Sequence, residues 1–123
     1  MTVGLSTTNL ANVWLDELNT LATHAKLHTA DPGAAGATAA STVTTRMAVT
    51  WSAASAGVKN MSGTISWTSW AGSSETLSHL SLWSNITTGN FAFSVAFTTP
   101  RAVVAGDTLT VTSLSVSQAP LAA

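Results

Sequence analysis

Apolar residues recur at Leu10, Val13, Trp14, Leu18 and Leu21, steps of three and four that draw one stripe along a helix. The spacing predicts a helix over residues 8–24, preceded by a flexible lead over residues 1–7. Thr7 or Thr8 is placed to cap its start with a hydroxyl. His24 and Lys26 fall at or just past its end, where positive charge suits the helix dipole. Asp16 and Glu17 are expected on the opposite, wet side. Trp14 then has two readings. It packs on the rest of the chain, or it packs against copies of the helix around a symmetry axis.

After residue 24 the period changes to two. Residues 25–30 read as a short strand that runs into Asp31-Pro32-Gly33, a turn signal. Residues 33–41 are Gly, Ala, Ser and Thr only, and are expected to form a mobile surface loop. Val43, Thr45, Met47, Val49 and Trp51 alternate with polar or small residues, the pattern of a half-buried strand over residues 42–51. A strand is expected from Val58 to Trp67, and another from Thr76 to Ser84 whose mixed faces suit a central position. Thr87-Thr88-Gly89-Asn90 reads as a hairpin turn. Phe91, Phe93, Val95 and Phe97 follow on one face, expected to be core. In the last strand Leu109 and Val111 share one face and Leu114 and Val116 the other, so a bulge is expected near Thr112-Ser113.

One helix followed by short strands, with turns about every 8–12 residues, predicts a mainly β fold. The expected form is an antiparallel β-sandwich or flattened barrel with one N-terminal α-helix. The chain reads as a single domain over residues 1–123, with the β body at 25–117 and a tail at 118–123. A domain of this size buries about two-thirds of its unfolded surface, enough for one core.

Charge is scarce and changes the picture. Charged residues make up 7% of the chain against about a quarter in typical domains, while 46% are hydrophobic. Such a surface is poorly protected against self-association and suits a protein that sits against something. The four basic residues, Lys26, Arg46, Lys59 and Arg101, are scattered and make no phosphate-tracking patch, so no nucleic-acid partner is expected. No run of about 20 apolar residues predicts a membrane span. The N-terminus lacks the basic start of a signal peptide, so synthesis in a cytoplasm is expected. There is no cysteine, which excludes disulfides, zinc–thiolate sites and thiol catalysis.

Candidate chemistry is thin. His24 and His28 stand four apart, a metal spacing only on a shared helix, and here His28 reads as strand. Asp31 and Asp107 sit in turns, where side-chain-to-backbone bonding accounts for them. Ser residues are many, but no Gly-x-Ser-x-Gly elbow, phosphate loop or dinucleotide fingerprint occurs. No enzyme activity, metal or cofactor is expected. Asn60-Met61-Ser62 and Asn85-Ile86-Thr87 match glycosylation sequons by chance. Five tryptophans occur without a tyrosine. Trp51, Trp67, Trp70 and Trp83 are read as core, as subunit anchors, or as a flat sugar-stacking face.

The string Leu27-His28-Thr29-Ala30-Asp31-Pro32-Gly33 resembles one found in small virion proteins of actinobacterial tailed phages. Ala48-Val49-Thr50-Trp51, Leu80-Ser81-Leu82-Trp83 and Val104-Ala105-Gly106-Asp107-Thr108-Leu109 are similar in order and spacing, so the resemblance covers most of residues 10–117. Members are labelled tail-fibre, minor tail or head-decoration proteins. The resemblance implies a structural virion protein made in the host cytoplasm. Capsid decoration is the favoured expectation, because a fibre needs a trimerising rod and the chain has neither heptads nor collagen-like triplets. A minor tail or tail-fibre protein, with a carbohydrate-binding role in receptor recognition, is the alternative. The expected partners are the major capsid protein or tail proteins, further copies of the chain as a homotrimer, and a host glycan in the alternative. Met1, Thr2, Val3, Leu5, Gly33 and Gly36 are the candidate virion contacts, and Trp14, His79 and Trp83 the candidate subunit-interface residues.

Overall fold

The computed structural model describes residues 2–122. A helical segment, α1, covers residues 7–21. It opens as a π-turn at Thr7–Ala11, continues α-helical through Asn12–Asp16 and closes with Leu18–Leu21. Its cap is Ser6, whose hydroxyl accepts from the Asn9 N–H at 3.2 Å, one residue before the Thr cap expected. The helix ends at Leu21, short of residue 24, because His24 already opens the first strand.

Nine strands follow among the described residues: β1 (His24–His28), β2 (Met47–Ala48), β3 (Thr50–Trp51), β4 (Val58–Ser62), β5 (Ile65–Trp67), β6 (Glu75–Trp83), β7 (Phe91–Val103), β8 (Leu109–Val111) and β9 (Ser115–Ser117). They form sheets in the orders β2-β1-β6-β7, β3-β4-β9 and β5-β8, with all strand pairs antiparallel. The fold is a β-sandwich with one N-terminal helix, and no closed barrel forms among the described residues. The core lies between the four-stranded layer and the two shorter sheets. Ala25, Leu27, Leu77, Leu80, Leu82 and Val103 meet Ile65, Trp67, Leu109 and Leu114 there.

Several elements differ from the expectation, each for a physical reason. Residues 42–51 are not one strand: β2 joins one layer and β3 the other, with buried Val49 between them donating its N–H to the Thr23 carbonyl. The expected strand from Val58 to Trp67 is β4 plus β5, broken at Gly63, where φ is +73°. That break carries the phase change read at Thr112-Ser113. Ile65 faces Val111, but Asn60 faces Ser115, so the additional residue lies on the β4–β5 side. In β6 a register shift between Leu77 and His79 turns Leu77 inward beside Leu80 and Leu82, and the strand is central as its mixed faces suggested.

The Phe91, Phe93, Val95 and Phe97 face is not full core. Its residues are half-buried, because β7 is the edge strand of its sheet. The loop over residues 33–41 is tied down by backbone bonds and by the His28 ring, whose Nδ1 donates to the Thr38 carbonyl. Thr38 N–H donates to Pro32, Thr29 N–H to Ala39, and Ser41 N–H to Leu27. The lead is pinned too. Leu5 forms a parallel bridge with Leu121, and the Ala122 N–H donates to its carbonyl at 2.7 Å.

Helix α1 is turned from its expected orientation. Ala11 and Leu15 face the body, with Leu18 packed against the core. Asp16, expected to be wet, keeps 44% of its side chain exposed but also accepts from buried Lys59 Nζ at 2.6 Å and from the Ala54 N–H at 2.8 Å. Lys59 is fully buried, so this carboxylate is what allows an ammonium inside the fold. The Lys59 ammonium in turn holds the Asp16 carboxyl below its ordinary pKa, helped by the Ala54 N–H.

Candidate functional site

The residues that carry polar chemistry gather on the outer face of the β1–β6 pair. His28 on β1 lies opposite His79 on β6, and Ser81 and Trp83 share that face two and four residues on. His28 Nδ1 lies 2.8 Å from the Thr38 carbonyl oxygen, which fixes it as the protonated nitrogen. Nε2 is then the acceptor, and the Ser81 hydroxyl donates to it at 2.7 Å. The Trp83 indole N–H donates to Ser81 Oγ, also at 2.7 Å. Burial pushes the His28 imidazole below its usual pKa, and the nearby Lys26 and His79 add to the shift while the Thr38 and Ala39 carbonyls oppose it.

A serine hydroxyl against an imidazole nitrogen is the geometry of an activated nucleophile. Here both residues are fully buried, the indole occupies the serine oxygen, and no carboxylate orients the ring. The pair fastens the loop to the sheet and has no access to a substrate. Asp31 completes the fastening by accepting from the Gly33 N–H at 2.9 Å, with Gly33 at φ +76°. The Leu27-to-Gly33 string thus anchors the loop over residues 29–41.

Next to this network is a small cluster at the end of β6. The Arg46 guanidinium stacks on Trp83, 4.1 Å from the ring centroid, and donates from Nη1 to the carbonyls of Asn85 and Thr88. Phe91 tilts against Trp83 with centroids 5.6 Å apart. Its ring lies directly on buried Gly36, where φ is +71° and a Cβ would overlap the ring. Gly36 and Trp83, two candidates far apart in sequence, therefore meet through Phe91. Arg46 was missed as a contributor. Its place in an alternating stretch gave no sign of the stack on Trp83.

The other candidates lie elsewhere. Met1 is outside the described residues. Thr2 and Val3 are exposed, and Leu5 is half-buried against the C-terminal tail. Gly33 is exposed in its turn. His79 is half-buried with Nδ1 at 2.8 Å from Ser78 Oγ. Trp14 is 50% exposed on the outer side of α1, together with Val13 at 51% and Leu21 at 51%.

The tryptophans do not form a shared flat face. Trp67 and Trp70 are buried, and the indole N–H groups of Trp51, Trp67 and Trp70 donate to the carbonyls of Ala22, Thr45 and Ser73. Among the described residues no group of three or more His, Asp or Glu side chains could hold a metal ion. No helix of the described chain is long and apolar enough to cross a membrane.

The concave feature missed by sequence is a groove of about 510 Å³ between β7 and the β8–β9 segment. Leu80, Val95, Phe97, Leu109, Val111 and Leu114 supply its apolar walls, and Arg101 stands at its margin. The spacing of apolar residues could not show it, because it forms where two strands of different sheets fail to pair.

Residues 7–118 match the family model described as Gp80, podophage GP4 fiber I protein gp80. The match begins at the first residue of α1 and runs one residue past β9. No curated protein matches the chain.

Proposed function

The chain belongs to the podophage GP4 fiber I protein gp80 family, and we propose on that footing that it is a non-enzymatic structural subunit of the tail-fibre apparatus. The family is one of phage virion proteins, and the match over residues 7–118 is the observation that carries the reading. The polar groups of the structure support a structural role. Of the two serine–histidine contacts among the described residues, His28–Ser81 is sealed inside the sheet and His79–Ser78 joins chain neighbours, neither with a carboxylate on its ring, and the buried charge is matched by Asp16.

Fibre placement replaces capsid decoration as the preferred reading. The sequence favoured a cement because the chain has no rod of its own. A compact sandwich can serve a fibre as a module carried by other chains, so the missing rod does not argue against the family's printed role. An actinobacterial host, implied by the Leu27-to-Gly33 string, belongs to the same proposal. A glycan platform built from Trp51, Trp67, Trp70 and Trp83 gains no support, since all four indole N–H groups are engaged inside the fold.

Antibody labelling of intact particles, with separately purified heads and tails, tests the placement. Label on the fibres and tail fractions is expected. Label confined to heads would refute fibre placement and restore decoration.

A further inference from the structure

The groove between β7 and β8–β9 is built to take side chains and to refuse a strand. Its volume of about 510 Å³ is in the range of pockets that enclose a ligand's apolar groups. β7 is a free edge, yet it leaves its ladder beside the groove. Leu77 pairs with Arg101 and His79 with Ala96, so residues 97–100 bulge from the sheet. Pro100 within that bulge has no N–H to donate. Bulges and edge prolines both block strand addition. An occupant must fill the groove with side chains.

The outer face of α1 presents such side chains. Val13, Trp14 and Leu21 are each about half exposed, and Val13, Glu17 and Leu21 follow at steps of four on one helix face. The charges point the same way: of the four cations Arg46 and Lys59 are engaged, and of the two that are not, Lys26 lies on β1 while Arg101 borders the groove. Four of the five carboxylates are engaged: Asp16 with Lys59, Asp31 with Gly33, Glu75 with Ser41 and Thr42, and Asp107 with the Val104 N–H. Glu17 is exposed and its carboxylate accepts no hydrogen bond among the described residues. At the groove margin Arg101 is exposed, and its guanidinium likewise makes no hydrogen bond or ion pair there. An apolar stripe with a free anion therefore matches an apolar groove with a free cation.

We infer that the occupant of the groove is a second copy of this chain. The stripe of α1, led by Trp14, seats between β7 and β8–β9 of the neighbouring copy, with Glu17 facing that copy's Arg101. Tryptophan is the residue type most favoured as an interface anchor. Stripe and groove are separate patches, and the arrangement inferred is the head-to-tail ring, in which each copy gives its helix to one neighbour and receives another's. This assembly is independent of whether the ring sits on a fibre or a head.

Light scattering and sedimentation of the purified full chain at tens of micromolar test it. A closed species of at least three 12.5 kDa protomers is expected. Glu17→Arg and Arg101→Glu should each weaken association about tenfold or more, because like charges then face each other. The double variant should restore the ring. Trp14→Ala should also dissociate it while leaving the melting curve of the protomer in place. A wild-type chain that remains monomeric would overturn the inference, as would a ring that survives all three single changes or a double variant that stays dissociated. A ring insensitive to Arg101→Glu but broken by Lys26→Glu would overturn it too, by moving the helix onto β1.

Discussion

Around β1 and β6 every buried polar group is partnered from within the chain, whereas along the β7–β8 seam and the outer face of α1 demands are left open. The first region holds a buried histidine, a buried serine and a half-buried tryptophan, each with its partner in place. No buried side-chain polar atom among the described residues lacks a partner. The second region holds half-buried Val95 and Phe97, half-exposed Trp14, and the unpaired charges of Glu17 and Arg101. The difference separates two jobs. Residues of the first region hold the protomer together, and residues of the second are free to hold protomers to each other. Changes in the first should therefore register as lost folding stability at any concentration. Changes in the second should register mainly as lost association.

The largest effect is expected where α1 meets the body. Asp16→Ala leaves the Lys59 ammonium buried with no partner, and should be the most destabilising of the changes considered. Lys59→Met removes the ammonium together with its need for a partner, so it should cost below about 1.5 kcal/mol. Urea unfolding of both variants decides the point. Equal losses would mean that Lys59 reaches water in solution, and that the inner face of α1 is no better satisfied than its outer face.

The misreading of α1 shows what a sequence can and cannot say about such faces. The period of Leu10, Val13, Trp14, Leu18 and Leu21 was legible, and so was the helix. Which face turned inward was not, because an apolar stripe looks the same whether it is covered by its own chain or by another. The inward face depends on Lys59, forty-three residues away, finding Asp16. Likewise the polar and Gly/Ala composition of residues 33–41 gave no anchors, since the anchors are backbone groups and the His28 ring. The central position of β6 was legible from its two mixed faces. The groove was not, because it arises from the failure of β7 and β8 to pair, a property of topology.

A middle-sized effect sharpens the comparison at the seam. Phe97 lines the groove and packs only partly on the core. Fully burying a phenylalanine gives a truncation cost of about 3–5 kcal/mol, so the half-buried ring should give about 2 kcal/mol when Phe97→Ala is made in a dissociated Glu17→Arg background. In the wild-type ring the same truncation should cost closer to the full figure, because the neighbour's helix completes the burial. Chemical denaturation across a range of protein concentrations measures both. A cost that is the same in the two backgrounds would mean that nothing seats against Phe97.

The smallest effect belongs to the region whose demands are met. Desolvation holds the His28 imidazole below its ordinary pKa near 6.5, against the pull of the Thr38 and Ala39 carbonyls and with the help of Lys26 and His79. The unfolded chain takes a proton at the ordinary value, and the folded chain takes it only at lower pH. Between those two points the unfolded state binds more protons. Stability is therefore complete above about pH 6.5 and declines as the pH falls from there toward the folded value. Protonation also turns Nε2 from acceptor to donor, so the Ser81 hydroxyl must reverse or let go. The Trp83 indole already donates to that oxygen, and reversal leaves the hydroxyl proton to find another acceptor. Melting temperatures recorded down through this range should fall for the wild-type chain and stay flatter for His28→Gln. Imidazole shifts followed by NMR give the direct reading. A His28 ring that titrates at or above its ordinary value would show that the β1–β6 network is open to water, and would erase the distinction between this region and the seam.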